Sequence, residues 1–474
     1  MEGRVLEKGT ARPLSGINVF VLPHKLKATT GPDGRFEIAN LPTGPFEVVV
    51  NVTNYVKLKK KGDAGAGDEI DAQLFLERVS YNTFETTVLG KADKRDDTTR
   101  ILKREQFLTM PGANGDPVKA VQNLPGVARP SGISSNVIIQ GSAPEDTKYL
   151  MDQNTVPLIF HFGGLTSVIT PEAVEQVDYL SAGYGVEYGR AMGGIVGLRT
   201  REPTKERLKG FVFVDTAKAG GLIEMPLDDK SSLLVTARYS YIGYVLKTAM
   251  KDNEDLDLTV APSFGDFATV YDREISERTK LHVVGIASRD ELKFILKQPV
   301  NEDPALRGNF SNETSFYRLI PQITQTYSNT LTGRYSLGIG QDKMRFDLSD
   351  YFFDLQAQVI TQRAEIEKKM GSSWTHFLGM DNEYTHGKVN LSLPSTIDDG
   401  GGVSSPISTS STVHREVNSD DFILAPYWRG VWKAPDSNWT LAPALRLDYF
   451  SPTEEYLLAP RYSVKYQWSS SLFF

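Results

Sequence analysis

The sequence predicts a mainly β protein with three successive parts: a small β-sandwich, a compact α+β block and an antiparallel transmembrane β-barrel. Three observations predict this fold class. Short β-branched runs separated by turn sequences fill residues 1–78. Glycine-rich turns, short strands and one helical stretch follow in residues 105–207. Amphipathic runs that alternate apolar with polar residues occupy residues 208–474.

The bulk composition agrees with several domains and excludes some classes of protein. A chain of 474 residues is too long for one ordinary domain. No run of 18 apolar residues occurs and the mean hydropathy is −0.29, so no transmembrane helix is predicted. Cysteine is absent, which excludes disulfides and cysteine metal sites. The net charge of −7, with acids and bases interspersed, argues against a nucleic-acid-binding surface.

The first part, residues 1–78, shows an ordered series of strand and turn motifs. The run GRVLEKGTARPLSGINVFVLP predicts strand, turn and strand, with Ile17, Val19 and Val21 on one face. The turn GPDGRF and the strands FEI and FEVVVNV follow. This order resembles the carboxypeptidase regulatory-like domain, with Phe46 in its aromatic position. The resemblance implies a transthyretin-like sandwich without catalytic residues.

The second part contains VQNLPGVARP, NVIIQGSAPEDTKYLMDQNTVP and EQVDYLSAGYGVEYGRAMGGIVGLRTRE in that order. A short helix is predicted, with Val118, Val121 and Leu124 on one face and Pro125-Gly126 as its stop. Residues 105–207 resemble the plug domain of TonB-dependent receptors. The resemblance implies a globular insert that sits inside a transmembrane barrel.

Six glycines between positions 183 and 197 raise a second interpretation, a phosphate-binding loop. That site would need G-x-x-x-x-G-K-S/T, or a glycine motif between a strand and a helix. Neither pattern occurs, because no lysine follows the glycines and the next run, IVGLRTR, is strand-like. Close backbone packing is therefore the favoured explanation.

Residues 79–104 are polar and charge-mixed, which predicts a linker. One β-branched island interrupts it: Glu85, Thr86, Thr87, Val88 and Leu89. In TonB-dependent receptors the TonB box lies at this place, so the resemblance implies that these residues bind TonB. An exposed extended segment can add to the edge of a partner's sheet through main-chain hydrogen bonds. An ordinary edge strand of the first part is the alternative.

The third part, residues 208–474, contains roughly eleven amphipathic runs joined by alternating short and long connections. Among them are SLLVTARYSYIGYVL, followed directly by KLHVVGIASRDELKFIL as the next predicted strand, and later MRFDLSDYFFDLQ. Plugged barrels have about twenty-two strands, so about half of such a barrel is expected here. We therefore expect a C-terminally truncated chain, with a frameshift or a genuine aromatic C-terminus at Phe474 as alternatives. The start, MEGRVLEKGT, lacks a basic and an apolar region, so a signal peptide is not expected within this chain.

The residues that could carry catalysis are not arranged for it. The six histidines do not form a close-set metal pattern: His24, His161, His282, His376, His386 and His414. The serine-hydrolase motif G-x-S-x-G does not occur. The acidic pair Glu145 and Asp146 lies in a turn-like sequence. The sequence therefore predicts no enzyme, no metal site and no cofactor.

Two sets of plug residues are candidates for binding or contact. Ser134, Phe160, His161 and Phe162 lie in loops that, by the resemblance, face the ligand. For His161, packing against the barrel lumen is the simpler interpretation. Arg190, Arg199 and Arg201 are expected to meet opposite charges on the inner barrel wall.

The resemblance implies a receptor or transporter of the Gram-negative outer membrane. It would import a scarce ligand, of siderophore, cobalamin or glycan type, when TonB binds and moves the plug. Its partners would be TonB, outer-membrane lipid and a small-molecule or glycan ligand, without nucleic acid. The alternative is a soluble or surface β-rich binding or adhesion protein, whose strands would carry polar residues on their outer faces.

Overall fold

The computed structural model describes residues 1–7, 12–24, 26–39, 41–52, 55, 58–65, 68, 70–76, 99–128, 137–162, 164–249, 256–296, 308–394, 412–433, 438–466 and 468. The chain divides into two compact units. One comprises Met1–Glu85, Thr204–Lys209 and Met225–Ser232; the other comprises Thr86–Pro203, Gly210–Glu224 and Leu233–Phe474.

The first unit contains two small sheets that share one apolar core. Its strands are β1 (Glu2–Glu7), β2 (Asn18–Leu22), β3 (Leu26–Thr29), β4 (Arg35–Glu37), β5 (Gly44–Val50), β6 (Leu58–Ala64) and β7 (Asp71–Leu76). The sheet orders are β4-β1-β7 and β3-β2-β5-β6. Val19 and Val21 are fully buried, Ile17 packs beside them half-buried, and Phe46 is buried. These residues alternate along their strands, as one face of a sandwich requires.

The turn between β3 and β4 explains why its sequence reads G-P-D-G. Gly34 has a φ of 74°, and its amide donates to the carbonyl of Gly31. A Cβ atom at Gly34 would lie 2.7 Å from the carbonyl oxygen of Val5. Both the backbone conformation and the close approach therefore require glycine at this position.

Residues 99–203, called the plug from here on, form a mixed sheet with two helices on it. Its elements are β8 (Thr99–Lys103), α1 (Arg104–Thr109), α2 (Pro117–Val121), β9 (Val127–Ala128), β10 (Ile138–Ile139), β11 (Thr147–Met151), β12 (Asn154–Thr155), β13 (Phe160–His161), β14 (Thr166–Ser167), β15 (Val174–Leu180) and β16 (Gly194–Thr200). The central sheet has the order β12-β11-β16-β15-β8. β8 pairs with β15, so residues 99–103, which the sequence assigned to a linker, belong to the plug sheet.

Helix α2 shows how the local sequence builds the plug. The side chain of Asp116 caps the helix and accepts hydrogen bonds from the amides of Val118 and Lys119 at 3.0 and 3.1 Å. Val118 and Val121 are fully buried against the plug sheet. The helix ends at Val121, one turn earlier than the sequence pattern predicted, so Leu124 follows it in a turn.

The remaining strands form one large antiparallel sheet. They are β17 (Lys209–Val214), β18 (Lys218–Asp228), β19 (Ser231–Ser240), β20 (Leu256–Ser276), β21 (Thr279–Leu296), β22 (Gly308–Ser328), β23 (Leu331–Leu348), β24 (Tyr351–Met370), β25 (Trp374–Pro394), β26 (Thr412–Leu424), β27 (Pro426–Lys433), β28 (Trp439–Phe450) and β29 (Glu455–Tyr466). Helix α3 (Ile242–Ala249) follows β19. Each strand pairs with its neighbour in the chain, except that β26 and β27 both pair with β25 and with β28.

β26 and β27 are one strand that is interrupted at Ala425. Both pair with β25 in a single register, from Trp374 opposite Trp432 to Pro394 opposite Thr412. The described part of the sheet therefore has twelve continuous strands in thirteen segments. The sequence predicted roughly eleven. It missed β20 and placed a strand over the turn at Ser349, which joins β23 and β24.

The two faces of this sheet have opposite character. Along β24 the buried positions include Thr361, Arg363 and Glu365, whereas Ile360 and Ile366, on either side of this stretch, are exposed. The exposed, apolar pattern repeats on neighbouring strands at Tyr317, Leu319, Leu337, Ile339, Leu378, Met380, Leu445 and Leu447. A water-facing outer surface, as in the predicted alternative of a soluble binding protein, is expected to be polar, so this face favours the predicted barrel over that alternative.

The plug packs against the other, inner face. Leu222, Leu234, Val270, Val284, Ile286, Phe316 and Ile320 of the sheet share one apolar cluster with plug residues that include Phe107, Val121 and Phe160. Among the described residues, no helix is both long and apolar enough to cross a membrane.

Candidate functional site between the plug and the inner face of the sheet

The residues predicted as sites fall into different environments. Glu85–Leu89 and Ser134 lie outside the described residues. Phe160 and His161 are buried in β13, and Phe162 is half-buried beside them. All three lie against strands of the sheet, and their proposed contact with a ligand stays a prediction.

His161 lies between two carboxylates of the sheet. Its Nδ1 is 2.5 Å from Asp290 Oδ1, and its Nε2 is 3.1 Å from Asp266 Oδ2. The ring stacks on Phe264 with 4.0 Å between centroids. Arg238 donates to both oxygens of Asp266 at 2.9 and 3.0 Å. These four charged residues, His161, Asp266, Asp290 and Arg238, are called the histidine cluster, and all are buried.

The environment of His161 favours its protonated form. Burial by itself would lower the pKa of His161, but the hydrogen bonds and charges of Asp266 and Asp290 outweigh it, so the pKa is raised. A protonated ring donates from both nitrogens, which fits one carboxylate on each side. The arrangement is therefore a charged tether from the plug to strands β20 and β21.

The same hairpin is tied to helix α2 on its other side. The carboxylate of Asp116 accepts from the amide of Ser167 at 2.7 Å and from the hydroxyl of Thr166 at 3.3 Å. Lys119 Nζ donates to the carbonyl of Leu165 at 2.7 Å. Asp116 thus caps α2 and holds the β13–β14 hairpin at the same time. The sequence marks Asp116 only as a helix start, and its second role depends on residues fifty positions away.

A second group of contacts holds the plug segment between residues 184 and 190. Arg446 donates to the carbonyl of Val186 at 3.3 Å, and Arg363 to that of Glu187 at 2.5 Å. Arg461 donates to the carbonyls of Tyr184 and Gly185 at 3.1 and 2.6 Å. Arg363, Arg446 and Arg461, here called the arginine cluster, extend from β24, β28 and β29. In the segment between residues 184 and 190, their hydrogen bonds go to main-chain oxygens.

Carboxylates of the sheet balance these arginines and also bind Arg190 of the plug. Arg446 pairs with Asp448 at 2.8 Å and with Asp381 at 3.0 Å. Arg190 pairs with Asp381 at 3.0 Å and lies 3.7 Å from both Glu383 and Asp448. Asp381 therefore serves a plug arginine and a sheet arginine together. Buried ion pairs of this kind are stable only as a complete set.

The other two predicted arginines differ from Arg190. Arg201 pairs with Glu224 of β18 at 2.6 Å, so it reaches the sheet. Arg199 pairs at 2.5 Å with Asp178, a neighbour within the plug sheet. Asp178 lies on β15, which pairs with β16 in the plug sheet.

A polar cleft opens between plug and sheet beside the arginine cluster. Lys148, Gln153, Glu187, Arg190 and Thr361 line part of it. Burial lowers the pKa of Lys148 to about 8, with the charge of Arg190 acting in the same direction and Asp381 and Glu383 opposing it. No sequence pattern marks Lys148, because its burial arises from the sheet that covers it.

A second histidine also joins the two regions. His282 of β21 lies 3.0 Å from Thr200 Oγ1 through its Nε2 and 2.7 Å from Asp272 through its Nδ1. Thr200 in turn donates to Asp152 at 2.9 Å. Among the described residues, no group of three or more His, Cys, Asp or Glu side chains is placed to hold a metal ion.

Two family models match the N-terminal part of the chain. Residues 1–106 match the CarboxypepD_reg-like domain, and residues 93–195 match the TonB-dependent Receptor Plug Domain. Both agree with the resemblances seen in the sequence. The TonB-dependent family consists of receptors and transporters, not enzymes. No curated protein matches the chain by sequence.

Solved structures of similar fold cover most of the chain. The siderophore receptor PirA from Acinetobacter baumannii aligns with a TM-score of 0.58 and 16% identity, over 81% of this chain and 61% of its own. The outer membrane transporter YddB from Escherichia coli gives 0.57 and 11%, over 79% and 59%. A mutant of the ferric enterobactin receptor PfeA from Pseudomonas aeruginosa gives 0.56 and 15%, over 79% and 60%.

These likenesses show the fold: a plug and part of the barrel of TonB-dependent receptors. The chain spans about 60% of the length of the solved structures it matches.

Proposed function

The chain carries a plug domain of the TonB-dependent receptors, and from this premise we propose that it acts as an outer-membrane receptor importing a scarce ligand. TonB would bind the Glu85–Leu89 segment and move the plug. One observation carries the proposal: a matched plug domain lies on the inner face of a sheet whose other face is apolar and exposed. An apolar outer face suits lipid, and the inner face binds the plug through buried charged residues as well as an apolar cluster.

The contacts of the plug support movement rather than permanent burial. Ion pairs and hydrogen bonds to main-chain oxygen, such as those of Arg190 and Arg446, can be exchanged for water. The cleft at Lys148 marks a place where plug and sheet are not in full contact.

The ligand is proposed at the level of class: a siderophore, a cobalamin or a glycan. Two of the solved structures are named as receptors of siderophore type, PirA and PfeA. Phe160, His161, Phe162 and Ser134 are the plug residues proposed to respond to it. In this proposal the energy for transport would come through TonB, so the chain would need no cofactor.

The TonB step can be tested with one substitution. Proline removes a backbone N–H, so Thr87→Pro would interrupt the main-chain pairing of the Glu85–Leu89 segment with the edge of a TonB sheet. We expect the Kd of the detergent-solubilised chain for the periplasmic domain of TonB to rise by at least about tenfold. Biolayer interferometry provides the measurement.

Ala92→Pro, in the same polar stretch but outside the segment, is the matched control and should leave the Kd unchanged. Equal binding by the unsubstituted chain and by Thr87→Pro would contradict the assignment of the TonB-binding segment. An absence of TonB binding by the unsubstituted chain would contradict the proposed function.

A further inference from the structure

The β13–β14 hairpin is held from two sides by different parts of the molecule. The sheet holds it through Asp290, which contacts His161 and accepts from the amide of Phe162 at 2.9 Å. Helix α2 of the plug holds it through Asp116 and Lys119. We propose that this hairpin is a proton-dependent latch: protonated His161 couples helix α2 to the sheet, and loss of that proton releases it.

The geometry requires a protonated ring. Both ring nitrogens of His161 face carboxylate oxygens, at 2.5 and 3.1 Å. A neutral imidazole has one N–H and one lone pair, so it can donate to only one of the two. The other carboxylate would then face a lone pair in a buried site. Deprotonation therefore replaces an attraction with a repulsion on one side of the ring.

The charge balance of the histidine cluster leads to the same conclusion. With His161 protonated, two carboxylates are matched by the imidazolium and by Arg238. Loss of the proton leaves one uncompensated negative charge in a buried site. Arg238 cannot adjust, because arginine keeps its proton in proteins. It also donates to the carbonyl of Ser167 at 2.6 Å, so it restrains the same hairpin.

Several elements around the hairpin carry charged groups. Asp266 and Asp290 come from β20 and β21, Arg238 from β19, and Asp116 and Lys119 from α2. Lys218 of β18 interacts electrostatically with Arg238, Asp116 and Asp266. His161 differs from the others in that its ordinary pKa is about 6.5, nearest to neutrality.

The direction of the pH effect follows from the pKa of His161, which is raised when the latch is closed. The stabilisation is complete below the ordinary pKa of about 6.5 and is lost as the pH rises through the raised value. The latch is therefore closed below the ordinary pKa of His161 and opens as the pH rises through its raised pKa. This deepens the proposed function, yet its test needs neither TonB nor a ligand.

Hydrogen exchange of the full chain in detergent, read by mass spectrometry between pH 6.5 and 9.5, tests the latch. After correction for intrinsic exchange rates, peptides from α2 and the hairpin should lose protection as the pH rises. His161→Gln should expose both at pH 7, with exchange faster by about 100-fold, because one partner of a buried pair is removed. A TonB-binding failure would not affect this result.

His386→Gln is the matched control. His386 pairs with Asp420 at 2.8 Å, but the pair is exposed and lies within the sheet. The His386→Gln substitution should leave hydrogen exchange in α2 and the hairpin unchanged. His161→Lys keeps a positive charge to higher pH, so its protection should not fall between pH 7 and 9.

Three results would overturn the latch. One is equal protection in His161→Gln and the unsubstituted chain. Another is an equal loss in β15, which would indicate general destabilisation. The third is an unchanged pH dependence in His161→Lys. If His161→Gln does not fold, Asp290→Asn replaces it: with one carboxylate neutral, the pH-dependent loss should move to lower pH, and an unchanged midpoint contradicts the latch.

Discussion

The arginine cluster and the histidine cluster hold the plug to the same sheet by different chemistry. Arg363, Arg446 and Arg461 keep their charge at every accessible pH and bind main-chain carbonyls between Tyr184 and Glu187. The histidine cluster instead depends on the protonation of one side chain, His161. The comparison indicates a fixed anchor at one end of the plug contact and a switchable one at the other.

The two clusters also place different demands on the plug sequence. Every residue has a carbonyl oxygen, so the arginine cluster does not require particular side chains in this segment. It limits mainly the size of the side chains that fit there. Gly189 shows this, because a Cβ atom there would lie 2.6 Å from the guanidinium of Arg446. The histidine cluster specifies one residue type, since only histidine supplies two ring N–H donors and an ordinary pKa near neutrality.

Removing an anchor arginine is expected to have the largest effect. Arg446 is fully buried, and Arg446→Met removes the closest ion-pair partner of Asp448 and one of the arginines that pair with Asp381. We expect the free energy of local unfolding of residues 184–190 to fall by about 3–5 kcal/mol, measured by native-state hydrogen exchange. Arg345→Met is the control, because Arg345 pairs with Asp347 on an exposed surface and should change stability by about 0–1 kcal/mol. Similar losses in both variants would refute a special role for the buried anchor.

Crowding the anchor should have a smaller effect. In Gly189→Ala the new methyl group meets a guanidinium that Asp448 and Asp381 hold in place. We expect a loss of about 1–3 kcal/mol in the same exchange measurement. Gly197→Ala is the matched control within the plug, since its nearest neighbour atom is 3.7 Å away. If the order of the two effects is reversed, close approach is not the reason for glycine at position 189.

The helix side of the latch is expected to contribute less again. Asp116→Ala removes the cap of α2 and the contacts to Thr166 and Ser167. We expect a loss of about 1–2 kcal/mol, confined to α2 and the hairpin. Asparagine retains the capping oxygen, so Asp116→Asn should keep most of the stability. Hydrogen exchange of the α2 and hairpin peptides, measured as the temperature is raised, distinguishes the two variants.

The smallest expected effect has the opposite sign. The pKa of Lys148, about 8, lies below its ordinary value of 10.5, so the protonated lysine opposes the closed plug at pH 7. This opposition fades as the pH rises through about 8 and is gone above the ordinary value. Lys148→Met should therefore stabilise the plug by about 1 kcal/mol at pH 7, and the gain should disappear above pH 10.

Urea unfolding of the plug at several pH values measures this gain. Lys388→Met, at an exposed lysine that pairs with Glu416, should show none. A destabilised Lys148→Met variant would mean that the carboxylates Asp381 and Glu383 outweigh burial.

The elements that the sequence predicted are those governed by local patterns. The turn at Gly34 follows from its own residues, and alternation along the chain marked most strands of the large sheet. β20 was not predicted, because Asp266 and Asp272 interrupt its apolar pattern. These two residues are buried only because the plug and the sheet surround them. Helix α3 was taken for strand, since a short run such as IGYVL suits either conformation.

The candidate site could be predicted only in part, because strand register decides it. Arg190 and Arg201 were selected as plug residues that meet opposite charges, and they pair with Asp381 and Glu224. Their partners were not identified. Asp266 and Asp290 are distant in sequence, yet pairing of β20 with β21 places Phe264 opposite Asp290 and so brings the two carboxylates to one face. No single-sequence signal contains that register.

The opposite character of the two faces along β24 has a consequence for assembly. A strand that paired one residue out of place would turn every side chain over. In the proposed membrane setting, Arg363 and Glu365 would then face hydrocarbon, while Ile360 and Ile366 would face the charges of the plug. A misaligned strand would be unfavourable on both faces at once, so the alternation that would keep charge away from lipid would also select the correct register during assembly.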